Sequence, residues 1–216
     1  MTDYEKMIGQ FGQHWKQDQA GLEDIMGKVS YHESKGQNVS QTGGGPGQGL
    51  FQYEKTFKDK AGNYAQAGGM TARNRLANWY KSQEMDSPDW LTQEGMQDPS
   101  IGFDASQLSE EQQRMMFLAD KRYDETASLT KEATSDLGNW WAKEHWRGGQ
   151  EGSDVYNERL GSFNRDLKDY SNSNNTGAVE STMNDYAQTE NAFTSPSDNT
   201  SKPGFNADFW NKDWLA

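Results

Sequence analysis

The sequence predicts an all-α fold with at most a minor β-hairpin near residues 50–57, followed by a flexible C-terminal tail. Three observations predict it. Apolar residues recur at three- and four-residue steps in several separate stretches, the mark of one buried helical face. No stretch sustains the two-residue alternation of a half-buried strand. Beyond Tyr170 the composition turns to Asn, Ser and Thr with few apolar residues, too little hydrophobic surface to order itself.

Residues 1–20 are polar with scattered rings (Tyr4, Phe11, Trp15) and read as a helix leading into an amphipathic one. That second helix carries Leu22, Ile25, Met26 and Val29 on a single face. Residues 36–69 contain nine glycines and read as loop. A short helix spans about Thr71 to Gln83 with Leu76, Trp79 and Tyr80, and residues 84–105, with Pro88 and Pro99, read as loop again. Ser109 with Gln112 three residues later forms a capping box that opens a helix running through Tyr123. A further helix spans about Thr126 to His145, striped by Leu129, Ala133, Leu137, Trp140 and Trp141. The last helix sets Tyr156, Leu160, Phe163, Leu167 and Tyr170 along a narrow seam suited to another helix. After the polar run 171–200 come Phe205, Phe209, Trp210, Trp214 and Leu215, which read as a docking peptide; a tail packed back on its own domain is the alternative. The chain thus divides into a domain, 1–170, and a linker with an aromatic end, 171–216.

A chain of 216 residues can hold one domain with a proper core and an appended tail. A hydrophobic fraction of 32% and a mean hydropathy of −1.11 indicate that part of it forms no core. Eight Trp, nine Tyr and nine Phe shift the burden of packing, and of any sugar-binding surface, onto rings. The net charge of −12 and the absence of a basic run argue against nucleic acid as partner. Without cysteine there is no disulfide or thiolate metal site, and His14, His32 and His145 lack ligand-like spacing, so no metal and no cofactor is expected. No apolar run has the length of a transmembrane segment or the form of a signal peptide, so delivery outside a cytoplasm would depend on something else.

Glu33 is the chemistry-bearing position. It lies four residues beyond Val29, on the apolar face and at the end of its helix, where burial and the negative end of the helix dipole both resist ionisation. That is how a carboxyl becomes a general acid near neutral pH. The glycine run Gly43-Gly44-Gly45-Pro46-Gly47-Gln48-Gly49 is followed by no Gly-Lys-Ser/Thr, so it reads as a sharply folded loop that lets backbone approach a sugar, not a phosphate cradle. His32 adjoins Glu33 but points to a different face of the helix. Glu54, Asp59 and Asp98 are the candidates for a second carboxylate, none set by a motif.

Glu33-Ser34, with Gly49-Leu50-Phe51-Gln52 beginning fifteen positions after Ser34, resembles the catalytic core of the soluble lytic transglycosylase and goose-type lysozyme superfamily. Phe51 stands where that family has Met. The longer string through Gln52-Tyr53-Glu54 looks more particularly like the lysozyme-like proteins carried inside phage particles. The resemblance implies a lysozyme-like α domain that cleaves the glycan strands of bacterial peptidoglycan, with Glu33 as acid and base. Ser34, Gly49, Leu50, Phe51 and Gln52 would then form the substrate-binding floor. In the lytic members one glutamate protonates the glycosidic oxygen, the substrate's N-acetyl group holds the cationic sugar, and the same glutamate deprotonates the sugar's 6-hydroxyl. The family's later Tyr-Asn-x-Gly landmark has its nearest counterpart in His145-Trp146-Arg147-Gly148-Gly149, without the usual polar groups. Trp140 and Trp141 read as core and Trp146, beside two glycines, as the cleft ring that binds substrate. The gap from Gln52 to His145 suggests an insertion within 60–105. The implied setting is a virion, with other virion proteins as partners through the aromatic end. The rivals are a catalytically silent structural virion protein, a plug or adaptor on the same fold, and a peptidoglycan-binding module.

Overall fold

Thr2 opens the first helix: its Oγ1 accepts the Glu5 amide while the Glu5 carboxylate accepts the Thr2 amide, a complete capping box. The helix it starts, α1, spans Asp3–Trp15 and buries Met7, Ile8, Phe11 and Trp15. Asp18 caps α2 (Gln19–Ser34), whose Leu22, Ile25, Met26 and Val29 face the core as their spacing predicts. Both helices end on a lysine in the left-handed conformation, Lys16 and Lys35.

The structure is a computed structural model that describes residues 1–41, 45–55, 57–58, 64–65, 68–92, 103–124, 129, 135–146 and 148–175. Contacts divide the chain into Met1–Asn172 and Ser173–Ala216, and the site described below belongs to the first unit. The chain is mostly helical. The expected minor hairpin is present, with β1 (Gly47–Gln48) antiparallel to β2 (Tyr53–Glu54). A second pair, β3 (Phe57–Lys58) with β4 (Tyr64–Ala65), follows it. Strands of two residues are too short to leave an alternating pattern, which is why neither pair is visible as a strand in the sequence.

Helix α3 spans Gly68–Ser82. The stretch read as loop after it holds a one-turn helix, α4 (Asp89–Thr92), which buries Leu91 but is too short to show a period. A 3₁₀ turn, Ala105–Gln107, leads to α5 (Glu110–Tyr123), which starts at the Ser109–Gln112 capping box read from the sequence. Of the helix expected over 126–145, residues 126–128 and 130–134 lie outside the described residues. The remainder is not one α-helix: α6 (Leu137–Trp140) passes directly into a π-helical turn, Trp141–Trp146. The last helix, α7, spans Asp154–Asn175. It therefore runs five residues past Tyr170, into the Asn/Ser run expected to be flexible, because extending an established helix costs far less than starting one.

The core centres on α5, which packs against α1 and α3, while α1 also meets α2 and β2 lies against α3. Its run Met115-Met116-Phe117-Leu118-Ala119 is buried all round, as a central helix must be. Two charges are buried with it. Asp120 is paired with Lys121 at 2.7 Å and with Arg75 of α3, which also reaches Asp124 at 3.2 Å. No helix among the described residues is long and apolar enough to cross a membrane.

Candidate active site

Glu33 sits one residue from the end of α2, facing inward beside the β1–β2 hairpin, and 19% of its side chain remains exposed. A carboxyl so placed can still meet a ligand while having lost most of its water. Burial pushes its pKa up to about 7, against the Trp141 hydrogen bond and the through-space charges of Lys121 and Arg159, which all favour the ionised form. The resistance to ionisation expected from its position on the apolar face comes from desolvation.

Trp141 is the group that holds this carboxyl. Its indole Nε1–H donates to Glu33 Oε1 at 2.7 Å. Its ring is fixed from two sides, stacked on Phe163 of α7 at 5.0 Å and met edge-on by His32 at 4.4 Å. His32 in turn pairs through Nδ1 with Asp166 of α7 at 2.7 Å, and Lys35 reaches the same carboxylate. His32 thus makes its polar contact with Asp166 of α7, and acts on the site by wedging the Trp141 ring. Burial lowers its pKa, with Asp166 pulling the other way.

Trp141 and His145, four residues apart, share a face in an α-helix as in a π turn; what the π turn adds to that face is Trp146. Widening the turn sets residues five apart one above the other, so Trp141 and Trp146 lie parallel at 6.1 Å. An α-helix would point those rings about 140° apart. His145 stands between them in sequence, with Nε2 3.6 Å from Glu33 Oε1. π turns concentrate at functional sites.

The glycine-rich hairpin forms the wall beside the acid. Ser34 Oγ lies 3.0 Å from the Ser30 carbonyl and 2.9 Å from the Leu50 carbonyl, tying the end of α2 to the hairpin tip. The Leu50 amide donates 2.7 Å to Gln113 Oε1 of α5, and Gln113 Nε2 donates to Asn38 Oδ1 and the Leu108 carbonyl. Gly49 has a φ of +77°, and a Cβ there would collide with Gln113 Oε1. The required glycines make room for protein side chains: at Gly47 the neighbour is Gln52. Gln52 itself holds a left-handed backbone, φ 48°, and donates from Nε2 to the Gly49 carbonyl at 2.7 Å and the Val39 carbonyl at 3.1 Å. Its Oε1 is buried with no hydrogen-bond partner among the described residues.

The residues singled out in the sequence are therefore brought together, but not in one role. Leu50 and Phe51 are each 2% exposed, so their side chains support the wall from the core and cannot touch a substrate; Phe51 stacks on Phe117 at 4.5 Å. Ser34 spends its hydroxyl on backbone carbonyls. Trp146 is half-buried, with Trp141 along one side, the Arg159 guanidinium 5.6 Å from the ring and Gly148 folded against it, so it is not an open stacking platform. Glu54 is half-buried on β2, and burial raises its pKa. Asp59, Asp98, Arg147, Gly43 and Gly44 lie outside the described residues. Trp140 and Trp141 are core rings, 4% and 2% exposed, and Trp141 is in addition the donor to Glu33.

No protein family, curated protein or solved structure matches this chain. The chemistry of the site rests on its own geometry: the Glu33 carboxyl raised to about 7, a fixed indole donor, a nearby imidazole and a hairpin wall.

Proposed function

We propose that this chain cleaves the glycan strands of bacterial peptidoglycan, with Glu33 as general acid and then general base. The observation that carries the reading is Glu33 itself: a partly exposed carboxyl whose pKa is pushed up to about 7 and whose Oε1 is held by Trp141. Such a group is about half protonated at neutral pH, so it can give a proton and return as a base. The Glu33-Ser34 and Gly49–Gln52 strings, with their resemblance to lytic transglycosylases, supply the substrate class. Among the described residues only Glu33 combines a pKa near 7 with a fixed donor on its oxygen, and the lytic route fits that best. Glu33 protonates the glycosidic oxygen as the C1–O bond breaks, the N-acetyl oxygen covers C1, and Glu33 then takes the proton of the 6-hydroxyl as O6 closes on C1. The attacking group is tethered, which removes much of the entropic cost of recruiting water. A phage particle is the proposed setting, with the aromatic C-terminal segment as attachment to other virion proteins.

Zymography on purified peptidoglycan tests the reading, with Glu33→Gln as control. Clearing by the wild type and its loss in the variant are expected, with mass spectrometry finding 1,6-anhydro ends. Clearing retained in Glu33→Gln removes this residue from the mechanism. Products heavier by one water reject the lytic route and direct attention to a second carboxylate. A wild type that never clears leaves the structural virion protein as the better reading.

A further inference from the structure

His145 carries no role in the cleavage scheme above, yet it is placed where the acid changes charge. Its Nε2 lies 3.6 Å from Glu33 Oε1, too far for a hydrogen bond, and the Trp141 N–H already occupies that oxygen at 2.7 Å. With both groups on Oε1, the acid proton belongs on Oε2, the oxygen left for a substrate. The imidazole is not loose: it lies parallel to Trp140 at 5.8 Å and meets the Phe117 ring edge-on at 6.0 Å, with 11% of its side chain exposed.

We propose that His145 is a positioning residue that stabilises the Glu33 carboxylate as it forms, its Nε2–H closing on Oε1 when the proton leaves Oε2. The inference rests on the reading of Glu33 as general acid and extends it. A protonated carboxyl offers Oε1 only as a neutral acceptor, for which one good donor suffices. A carboxylate accepts strongly, and charge-assisted N–H···O bonds settle at about 2.7–2.9 Å. Closing from 3.6 Å needs a movement of under about 1 Å. A contact loose before proton transfer and tight after it favours the transition state over the bound substrate, and so raises turnover without tightening binding. The tautomer follows: Nε2 carries the hydrogen. The other charged or titratable groups acting on Glu33 are Lys121 of α5 and Arg159 of α7, through space, and the Tyr53 phenol of β2, which feels the Glu33 charge in turn.

The test compares H145Q, whose amide can place an N–H near the position of Nε2, with H145M, similar in length and without a donor. Full-length protein carrying carbon-13 in its glutamate side chains is titrated by NMR without substrate, Glu33 being assigned by its absence in Glu33→Gln. H145M should move the Glu33 titration to higher pH, and H145Q should leave it near the wild type. On peptidoglycan, H145M should lose about 10- to 100-fold in kcat with KM unchanged. Its activity should also persist to higher pH, because the acid is lost only as pH rises through the Glu33 pKa. H145N, whose shorter amide stops short of Oε1, is the second variant if H145M fails to fold and should behave like it. An unmoved Glu33 titration in H145M or H145N, or an undiminished kcat, overturns the inference. A wild type that cleaves no peptidoglycan overturns the proposed function instead, and the carboxyl titration still decides for or against the pair.

Discussion

Glu33→Gln should change how stability depends on pH, and the size of the change follows from the site. The ordinary carboxyl value is 4.5, and in the folded protein burial raises it to about 7. Between those values the folded state keeps a proton that the unfolded chain has released, so stability falls as pH rises through this window. Below it both states are protonated and nothing is lost; above it both are ionised and the loss is complete. At about 1.36 kcal/mol per pH unit, the wild type gives up at most about 3 kcal/mol from this one group. Glutamine preserves the shape and still accepts the Trp141 N–H, but carries no proton to lose. Urea unfolding of both proteins from roughly pH 4 to about pH 8 at constant salt measures it, since every other titrating group is shared and cancels in the difference. The curves should coincide at the acid end and separate to about 3 kcal/mol in favour of the variant at the alkaline end. Parallel curves would refute the claim that Glu33 is desolvated, and with it the physical basis of the proposed acid.

Trp141→Phe removes the donor that holds Glu33 Oε1. A bond to a charged acceptor contributes about 1.5–3 kcal/mol against about 1 for a neutral one, so the Glu33 titration should rise by about one pH unit in carbon-13 NMR. Gly49→Ala places a Cβ against Gln113 at a positive φ and should cost at least about 1 kcal/mol in thermal or urea unfolding; an unchanged midpoint would mean the hairpin tip can relax.

The long helices were legible from the one buried face of α1, α2 and α3 and from the capping box of α5. Ser109 and Gln112 announce the start of α5 by chemistry that acts within four residues, and Leu22 to Val29 place Glu33 by period alone. The hairpin was legible as a glycine-rich turn but not as strands. Trp141 and His145 share a helical face at four-residue spacing, but nothing local pairs that face with Glu33. Reading 126–145 as uniform α-helix turns Trp146 away from Trp141, and no local residue preference signals a π turn, which the surrounding packing of His32, Phe163 and Phe117 sustains. The only trace in the sequence was the density of rings and His145 in one short segment. Buried side chains such as Leu50 and Phe51 look the same in sequence whether they line a cleft or stand behind it; only the direction of the hairpin tip decides.

Gln113 gives the site an unusual mechanical standing. A hairpin of two residue pairs is marginal by itself, yet its tip amide, at Leu50, closes on a side chain anchored in the central helix, which also grips Asn38 and the Leu108 carbonyl. The wall beside Glu33 therefore borrows its rigidity from α5. Exchange of the Leu50 amide hydrogen is expected to track that of α5, which native-state hydrogen exchange can measure. Geometry at the acid is in this way tied to the packing of the central helix through one glutamine side chain.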